Sequence, residues 1–146
     1  MVTLKTQDWL ANDEAMLSSM DKWQRAVDLM TGLLGATAGY VVEYNDKLGF
    51  RAALTSQNDA NPNRKLSGKS EPSSRNIYCR RPAQTKASFY EPDATGKPDW
   101  ADNPELTDDG YVSYYGVPLF WPNVVVFGTL CVFDTKPTGY DKRQLE

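Results

Sequence analysis

The residues best suited to chemistry are two cysteines, and one of them lies in a basic stretch. Cys79 is followed directly by Arg80 and Arg81, and Arg75 stands one helical turn before it. Neighbouring positive charge lowers the pKa of a thiol and makes the sulfur more nucleophilic, which would suit a redox sensor. Small buried cysteines are also frequent packing residues, and we expect that role for Cys79. Cys131 lies in an apolar run and is expected to pack in the core.

Histidine is absent from the sequence, which removes many kinds of catalytic centre. Its absence excludes a Ser-His-Asp or Cys-His nucleophile pair, a histidine-ligated haem and a histidine-containing zinc site within this chain. The two cysteines are too few for a disulfide-built secreted fold and lack the Cys-x-x-Cys spacing of zinc ligands. A Gly-x-x-x-x-Gly-Lys phosphate loop is also missing. We therefore expect no catalytic residue and no resident cofactor.

Carboxylates are concentrated between residues 92 and 110, around the single aromatic residue Trp100. Hard cations bind several carboxylate oxygens at once, so a metal site is one interpretation of this cluster. The spacing lacks the Asp-x-Asp-x-Asp-Gly pattern and the closing glutamate of an EF-hand. We expect instead a solvated acidic loop without a metal. The carboxylates are Asp93, Asp99, Asp102, Glu105, Asp108 and Asp109.

The overall composition is that of one ordinary domain spanning residues 1–146. The chain has 16 Lys and Arg against 19 Asp and Glu, a net charge of −3, and no basic tail. Nucleic acid is therefore an unlikely partner, because phosphate neutralisation needs clustered basic residues. The sequence has no run of eighteen apolar residues and no signal-peptide pattern at its start. We expect no membrane segment and a cytoplasmic location.

Apolar residues near the start of the chain recur every three or four positions, as they do along one face of an α-helix. Gly35 then ends the helix in a left-handed conformation. One interpretation is that this stripe packs on the core. Another is that the heptad-like seam also pairs with a second copy of the chain. The stripe consists of Met16, Met20, Trp23, Val27, Met30 and Leu34.

Strand-forming residues dominate most of the remaining elements. Residues 39–44 and 48–55 predict a hairpin with a turn at Asn45-Asp46-Lys47. The strongest strand signal is a pair of aromatic and β-branched runs, residues 111–121 and 124–133, which we expect to pair antiparallel at the sheet centre. The other expected elements are an exposed connection over residues 56–74, a short helix over 76–79 capped by Ser73 or Ser74 and stopped or kinked by Pro82, a short strand over 87–91, and a helix that starts at 138 and runs to 146.

The two long strands carry a resemblance to a known family. The runs YVSYYGVPL at residues 111–119, WP at 121–122 and VFGTLCVFD at 126–134 resemble the C-terminal half of a GAF domain of the bacterial signal-transduction type. Ile77-Tyr78-Cys79 and the stretch over residues 92–104 resemble the middle section of the same domains. The resemblance covers residues 22–146.

The resemblance implies an α+β, PAS-like fold. It implies a central antiparallel sheet of five or six strands, N- and C-terminal helices packed on one face, and a small-molecule cavity on the other. It further implies a non-catalytic regulatory domain that relays ligand binding through its terminal helices to a covalently linked output domain, a histidine kinase or a diguanylate cyclase. A helix reaching Glu146 fits a piece of a longer signalling protein, and the N-terminal stripe fits a homodimer.

A pocket for a small molecule needs an apolar wall with a few converging donors and acceptors. A competing interpretation is that buried Tyr and Trp groups bond to backbone, while Asp and Asn cap loops. The predicted ligand-binding residues are Tyr78, Cys79, Trp100, Ser113 and Tyr115 around the pocket, with Asp93 and Asn103 at its rim.

Two further function classes stay open. One is a structural dimerisation module without a ligand. The other is an enzyme, because some GAF domains reduce free methionine sulfoxide with a set of cysteines. That activity needs an accessible reactive thiolate, and this chain offers two cysteines without that subfamily's cysteine-bearing loop.

Overall fold

The computed structural model describes residues 20–65, 70–120 and 125–141. Several predicted features lie outside these residues. They are Met16 in the helical stripe, the side chain of Met20, residues 121–123 between the two long strands and the end of the predicted C-terminal helix.

The N-terminal helix α1 spans Met20–Leu34. Its predicted stripe packs on the sheet, where Trp23 and Val27 join one apolar cluster and Met30 and Leu34 join another. Gly35 follows at φ 62°, and its N–H donates to the carbonyl of Gly32. A left-handed residue closes a helix in this way, and glycine adopts that conformation without a Cβ penalty. The predicted end of the helix is therefore confirmed.

A six-stranded antiparallel sheet forms the centre of the molecule, so the predicted α+β fold class is confirmed. The predicted hairpin and the predicted long pair are both present, and the long pair runs from Ser113 opposite Asp134 to Phe120 opposite Val126. The order across the sheet is β3-β2-β1-β6-β5-β4. The strands are β1 Ala38–Asn45, β2 Gly49–Thr55, β3 Ser70–Glu71, β4 Phe89–Glu91, β5 Ser113–Phe120 and β6 Val126–Asp134.

The two faces of the sheet are covered differently. Helix α1 lies on one face, against Val41, Phe127 and Val132. The other face carries most of the aromatic core, which is covered by short elements. These are α2 Arg80–Thr85, a 3₁₀ turn Pro98–Trp100 and α3 Pro104–Thr107.

The short helix expected over residues 76–79 is displaced towards the C-terminus. Residues 76 and 77 have no regular structure, residues 78 and 79 form a turn, and the helix begins at Arg80. Pro82 falls in its first turn, where an N–H has no partner within the helix, so proline is tolerated there. The expected caps at Ser73 and Ser74 therefore do not start this helix.

The expected C-terminal helix does not begin at Thr138. Residues 138–141 are not helical, and the rest of the prediction lies outside the described residues. The Thr138 N–H donates to the Pro92 carbonyl, and the Tyr140 N–H donates to the Tyr90 hydroxyl, both at 3.0 Å. The rings of Tyr140 and Tyr90 also stack at 5.3 Å. Contacts with β4 therefore replace the local helical bonds.

Candidate functional site

A cavity of about 410 Å³ lies on the face of the sheet opposite α1. Its inner wall consists of Tyr40 and Val42 from β1, Phe50 from β2 and Phe133 from β6. Side chains two positions apart on a strand point to the same face, which brings Tyr40 and Val42 together. The opposite wall is formed by residues 104–111. The sheet therefore supplies an aromatic wall, and a chain segment beside it closes the cavity.

A second depression of about 470 Å³ lies near the end of α1. Its walls are formed by glycine, alanine and polar residues around the end of α1 and in the segment that follows β2, including Gly32, Gly35 and Asn58. Ligand pockets usually combine apolar and aromatic walls with a few polar groups. We therefore take the aromatic cavity, although slightly smaller, as the candidate site.

A small polar cluster stands at one side of the aromatic cavity. The Asn63 amide donates to the Tyr40 hydroxyl at 3.0 Å, and the hydroxyls of Tyr40 and Tyr111 lie 3.4 Å apart. Burial raises the pKa of both tyrosines above the ordinary value of 10.0. Both phenols therefore stay protonated at neutral pH and can donate or accept a hydrogen bond. Such groups can orient a ligand without carrying charge.

Glu105 is the acidic group of the cavity. Its carboxylate is held in place because Oε1 accepts the Tyr78 N–H at 2.8 Å. Asn103 caps α3 by accepting the Glu105 N–H at 2.9 Å. Burial raises the pKa of Glu105 well above its ordinary value, with smaller contributions from the Cys79 thiol and the carboxylate of Asp109. The cavity thus contains a carboxyl group that is costly to ionise without a positive partner.

Cys79 also lines the cavity, but as a buried thiol. Its sulfur lies 3.8 Å from that of Cys131, and burial, followed by this neighbour, raises the Cys79 pKa well above its ordinary value. The arginines that follow it do not make it a thiolate. Arg81 instead lies 4.8 Å from the centre of the Trp100 ring. The packing role expected for Cys79 agrees with this burial.

Tyr78, Trp100 and Asn103 lie beneath the cavity rather than on its surface. The Tyr78 hydroxyl donates to the Tyr111 carbonyl at 2.7 Å, and the Trp100 indole N–H donates to Glu91 at 3.0 Å. Asn103 is fully buried and caps α3. These three predicted residues support the cavity floor through internal bonds.

The remaining predicted residues lie elsewhere. Tyr115 packs with Ala36 and Val132 on the α1 side of the sheet, and the Ser113 hydroxyl donates to the Lys136 carbonyl. Asp93 accepts the Thr95 N–H in a turn. Tyr114, one position from Tyr115, faces the aromatic core instead. Of the seven predicted residues, the structure thus brings only Cys79 to the cavity wall.

Sequence reasoning missed Tyr40, Asn63, Glu105 and Tyr111 as site residues. Asn63 lies in the connection expected to be wholly exposed, but that connection is anchored because Asn61 is buried and donates to the Thr55 hydroxyl. A detectable signal existed for Glu105. The sequence Asn103-Pro104-Glu105 has a cap residue followed by proline, which predicts a helix start.

Within residues 20–65, 70–120 and 125–141, no group of three or more His, Cys, Asp and Glu side chains is arranged to hold a metal ion. Within the same ranges, every helix is too short or too polar to cross a lipid bilayer.

Comparison of this architecture with solved structures gives consistent matches. The phycocyanobilin-bound GAF domain of a cyanobacterial phytochrome superposes with a TM-score of 0.66 and 18% identity, over 99% of this chain and 87% of that chain. The chain has the GAF fold. The predicted resemblance is confirmed at the level of the fold.

Two other proteins show the same fold. One is NreA of Staphylococcus aureus, mutated in its nitrate binding site, with a TM-score of 0.64, 17% identity, and coverage of 86% of this chain and 94% of that chain. The other is the type II free methionine-R-sulfoxide reductase of Thermoplasma acidophilum, with a TM-score of 0.65, 11% identity, and coverage of 88% and 83%. No protein-family model and no curated protein matches this GAF chain by sequence.

Proposed function

We propose that this GAF domain is a non-catalytic sensor of a bacterial signal-transduction protein and binds a small molecule in its aromatic cavity. The observation that carries the proposal is the cavity of about 410 Å³, which combines aromatic walls with the polar groups of Tyr40, Tyr111 and Glu105. That composition suits a small organic ligand. The nitrate binding site of NreA and the bilin-bound phytochrome domain support the proposal by analogy of fold.

The sheet offers a route from the cavity to α1. Strands β1 and β6 present Tyr40 and Phe133 to the cavity and Val41 and Val132 to the helix side. A ligand changes the output only through its different affinities for two arrangements of the domain. In the proposed mechanism, those arrangements differ in how α1 packs on these strands. A linked histidine kinase or diguanylate cyclase would respond to that difference.

The proposal includes pairing of two copies through α1, but through a different surface of the helix from the apolar stripe expected from the sequence. Val27 is fully buried and Trp23, Met30 and Leu34 pack on the sheet, so the described part of the stripe serves the core. Leu29 and Leu33 are 62% and 70% exposed one turn apart. We assign the contact between copies to these two leucines. The double variant Leu29→Glu and Leu33→Glu should lower the association constant in sedimentation, and an unchanged constant would refute the contact.

A thermal-shift screen against a metabolite library tests ligand binding. A compound that saturates the domain at 100 times its Kd should stabilise it by about 2.7 kcal/mol. The variant Ala52→Phe places a ring at a residue that lines the cavity and should abolish the shift. Ala101→Phe, at an exposed position, is the matched control and should keep it. A library without any stabilising compound, together with no compound copurifying by mass spectrometry, would favour a purely structural dimerisation module.

One observation favours a second candidate, reduction of free methionine sulfoxide. Cys79 lines the cavity and its sulfur lies 3.8 Å from that of Cys131. Two thiols could reduce a sulfoxide to the thioether, with formation of one disulfide and one water. The raised pKa of Cys79 opposes this chemistry, because the thiolate is the nucleophile. Turnover of methionine sulfoxide with dithiothreitol, lost in Cys79→Ser, would establish the enzyme and refute the non-catalytic proposal.

A further inference from the structure

The charges that line the cavity are unevenly distributed. Glu105, Asp108 and Asp109 stand on the side formed by residues 104–111. Glu71 also lines the cavity and acts electrostatically on Glu105, but its carboxylate forms an ion pair with Arg75 at 3.0 Å. The segment that covers the sheet is therefore the acidic side of the cavity.

Two cations, Arg51 and Lys65, also line the cavity. Arg51 is paired with Glu43 in the register between β1 and β2. Burial lowers the pKa of Arg51, and the Glu43 carboxylate opposes that shift. Lys65 is exposed, so its ammonium group is accessible to water. An anionic ligand at residues 104–111 would meet three carboxylates, which disfavours it by like-charge repulsion.

Glu105 differs from the two exposed aspartates because it is partly buried. Its Oε1 accepts the Tyr78 N–H, and its carboxyl group interacts electrostatically with the thiol of Cys79, which also lines the cavity. Among the described residues, no Lys or Arg side chain forms an ion pair with Glu105. A positively charged group entering from the cavity would provide the missing partner.

The aromatic wall suits such a group. The rings of Tyr40, Phe50, Tyr111 and Phe133 all line the cavity. The face of an aromatic ring carries partial negative charge and attracts organic cations, while its area accepts a hydrocarbon skeleton. The Tyr111 N–H donates to the Glu105 carbonyl at 2.9 Å, and the Glu105 carboxyl group acts electrostatically on the Tyr111 phenol, so the two side chains lie in the same part of the wall.

We propose that the cavity binds a small organic amine, whose protonated nitrogen pairs with the Glu105 carboxylate while its hydrocarbon part packs on the Tyr40, Phe50 and Phe133 rings. The inference rests on the proposed small-molecule function and names its ligand class. It does not depend on the identity of the output domain.

Calorimetric titration of the full chain with matched probes tests the ligand class. The first set is 2-phenylethylamine, 2-phenylethanol and 3-phenylpropionate, and a smaller set is n-butylamine, n-butanol and n-butyrate. Each set varies the charge while keeping a similar skeleton. We expect an amine to bind about 10- to 100-fold more tightly than its alcohol, as a charged hydrogen bond contributes, and the acid to bind most weakly.

Substitution of Glu105 tests the contact itself. Glu105→Gln keeps an oxygen that can accept the Tyr78 N–H, but it should reduce amine affinity to near that of the alcohol. The alcohol affinity should stay unchanged. Asp46→Asn removes the same charge from an exposed turn and should leave both affinities within about twofold of the parent. An unchanged denaturation midpoint would show that the Gln variant is folded. If the variant does not fold, the comparison of amine, alcohol and acid probes on the parent chain still tests the ligand class.

The outcomes separate this inference from the function on which it rests. An alcohol or acid that binds as tightly as its amine, or an amine affinity insensitive to Glu105→Gln, overturns the amine class. The amine class also fails if no amine binds while a library compound does bind and its binding is lost in Ala52→Phe. That result would leave the sensor function in place. If neither probes nor library compounds bind, both proposals fail.

Discussion

The two faces of the sheet are built from the same strands but by different means. On one face a single helix, α1, packs apolar side chains such as Val27 against Val41 and Phe127. On the other face several short segments cover an aromatic layer that includes Tyr78 and Trp100. There, side chains bind backbone groups of other segments, as Glu105 does with Tyr78. The helix side is covered by one continuous apolar stripe, whereas the cavity side combines a large aromatic cluster with polar bonds between separate short segments.

This difference teaches where such a domain can carry a site. A face covered by one long amphipathic helix fills its space with periodic side chains and leaves little room. A face covered by short segments leaves gaps, and its backbone groups need side-chain partners. The polar groups of the cavity are therefore consequences of how this face is covered. The following substitutions test that contrast.

The largest expected effect comes from a charge placed on the helix side. Val27 is fully buried there, and Val27→Glu should destabilise the fold by about 4 kcal/mol or more, because a charge without a partner enters an apolar cluster. Chemical denaturation measures the effect. Arg25→Glu, two positions away at an exposed site of the same helix, is the matched control and should change stability by less than about 0.5 kcal/mol. Similar losses in both variants would contradict the assignment of the buried face.

A smaller effect should follow from loss of one polar bond on the cavity side. Tyr78→Phe removes the donor to the buried Tyr111 carbonyl and should cost about 1–3 kcal/mol, because that acceptor loses its partner. Tyr44→Phe changes a partly buried tyrosine that packs against Phe50 and serves as the control, with a loss below about 0.5 kcal/mol. If the two variants unfold at the same denaturant concentration, individual polar bonds do not hold this face.

The smallest expected effect concerns how stability depends on pH. The pKa of Glu105 is raised in the folded chain from an ordinary value of 4.5, mainly by burial and further by Cys79, Asp109 and Glu71, whereas the Tyr78 N–H opposes the shift. Below pH 4.5 the carboxyl group is protonated in both states. As the pH rises, the unfolded chain releases this proton first. The free energy of unfolding therefore falls between pH 4.5 and the folded pKa, by at most about 1.4 kcal/mol per pH unit.

Glu105→Gln removes this titration and should flatten the fall. The comparison is the free energy of unfolding of the parent chain minus that of the variant, measured from pH 4 upwards. We expect the difference to become less favourable to the parent as pH increases. Asp46→Asn should run parallel to the parent, and a Gln variant that also runs parallel would contradict the burial of an ionisable group at this position.

Local patterns predicted much of the fold. The end of the helix at Gly35 and the β5–β6 pair could be predicted because both depend on neighbouring residues. A glycine after a helical pattern indicates a helix end, and a run of β-branched and aromatic residues indicates a strand. The start of α2 and the path of residues 138–141 were not. The latter depends on the bond from Thr138 to the Pro92 carbonyl, between residues 46 positions apart. No local pattern contains such a contact.

The candidate site was harder to predict than the fold. Ser113 and Tyr115 were chosen for their residue types, but alternation along β5 sends Tyr115 to the helix side and Tyr114 to the aromatic core. A strand does not reveal from its own sequence which of its two phases faces a cavity. Glu105 looked like one carboxylate of a solvated loop. Its burial arises from the Tyr78 backbone, 27 positions earlier in the chain.

The two outer strands of the sheet are short, with two residues in β3 and three in β4. Long, flat edge strands with unpaired N–H and C=O groups allow strands of other chains to pair with them, which leads to aggregation. Around β4, the stretch that contains Thr138 and Tyr140 also occupies the neighbouring space. As far as the described residues show, these margins therefore offer little template for strand addition. The proposed pairing of two copies would therefore depend on side-chain contacts, which an introduced charge can weaken.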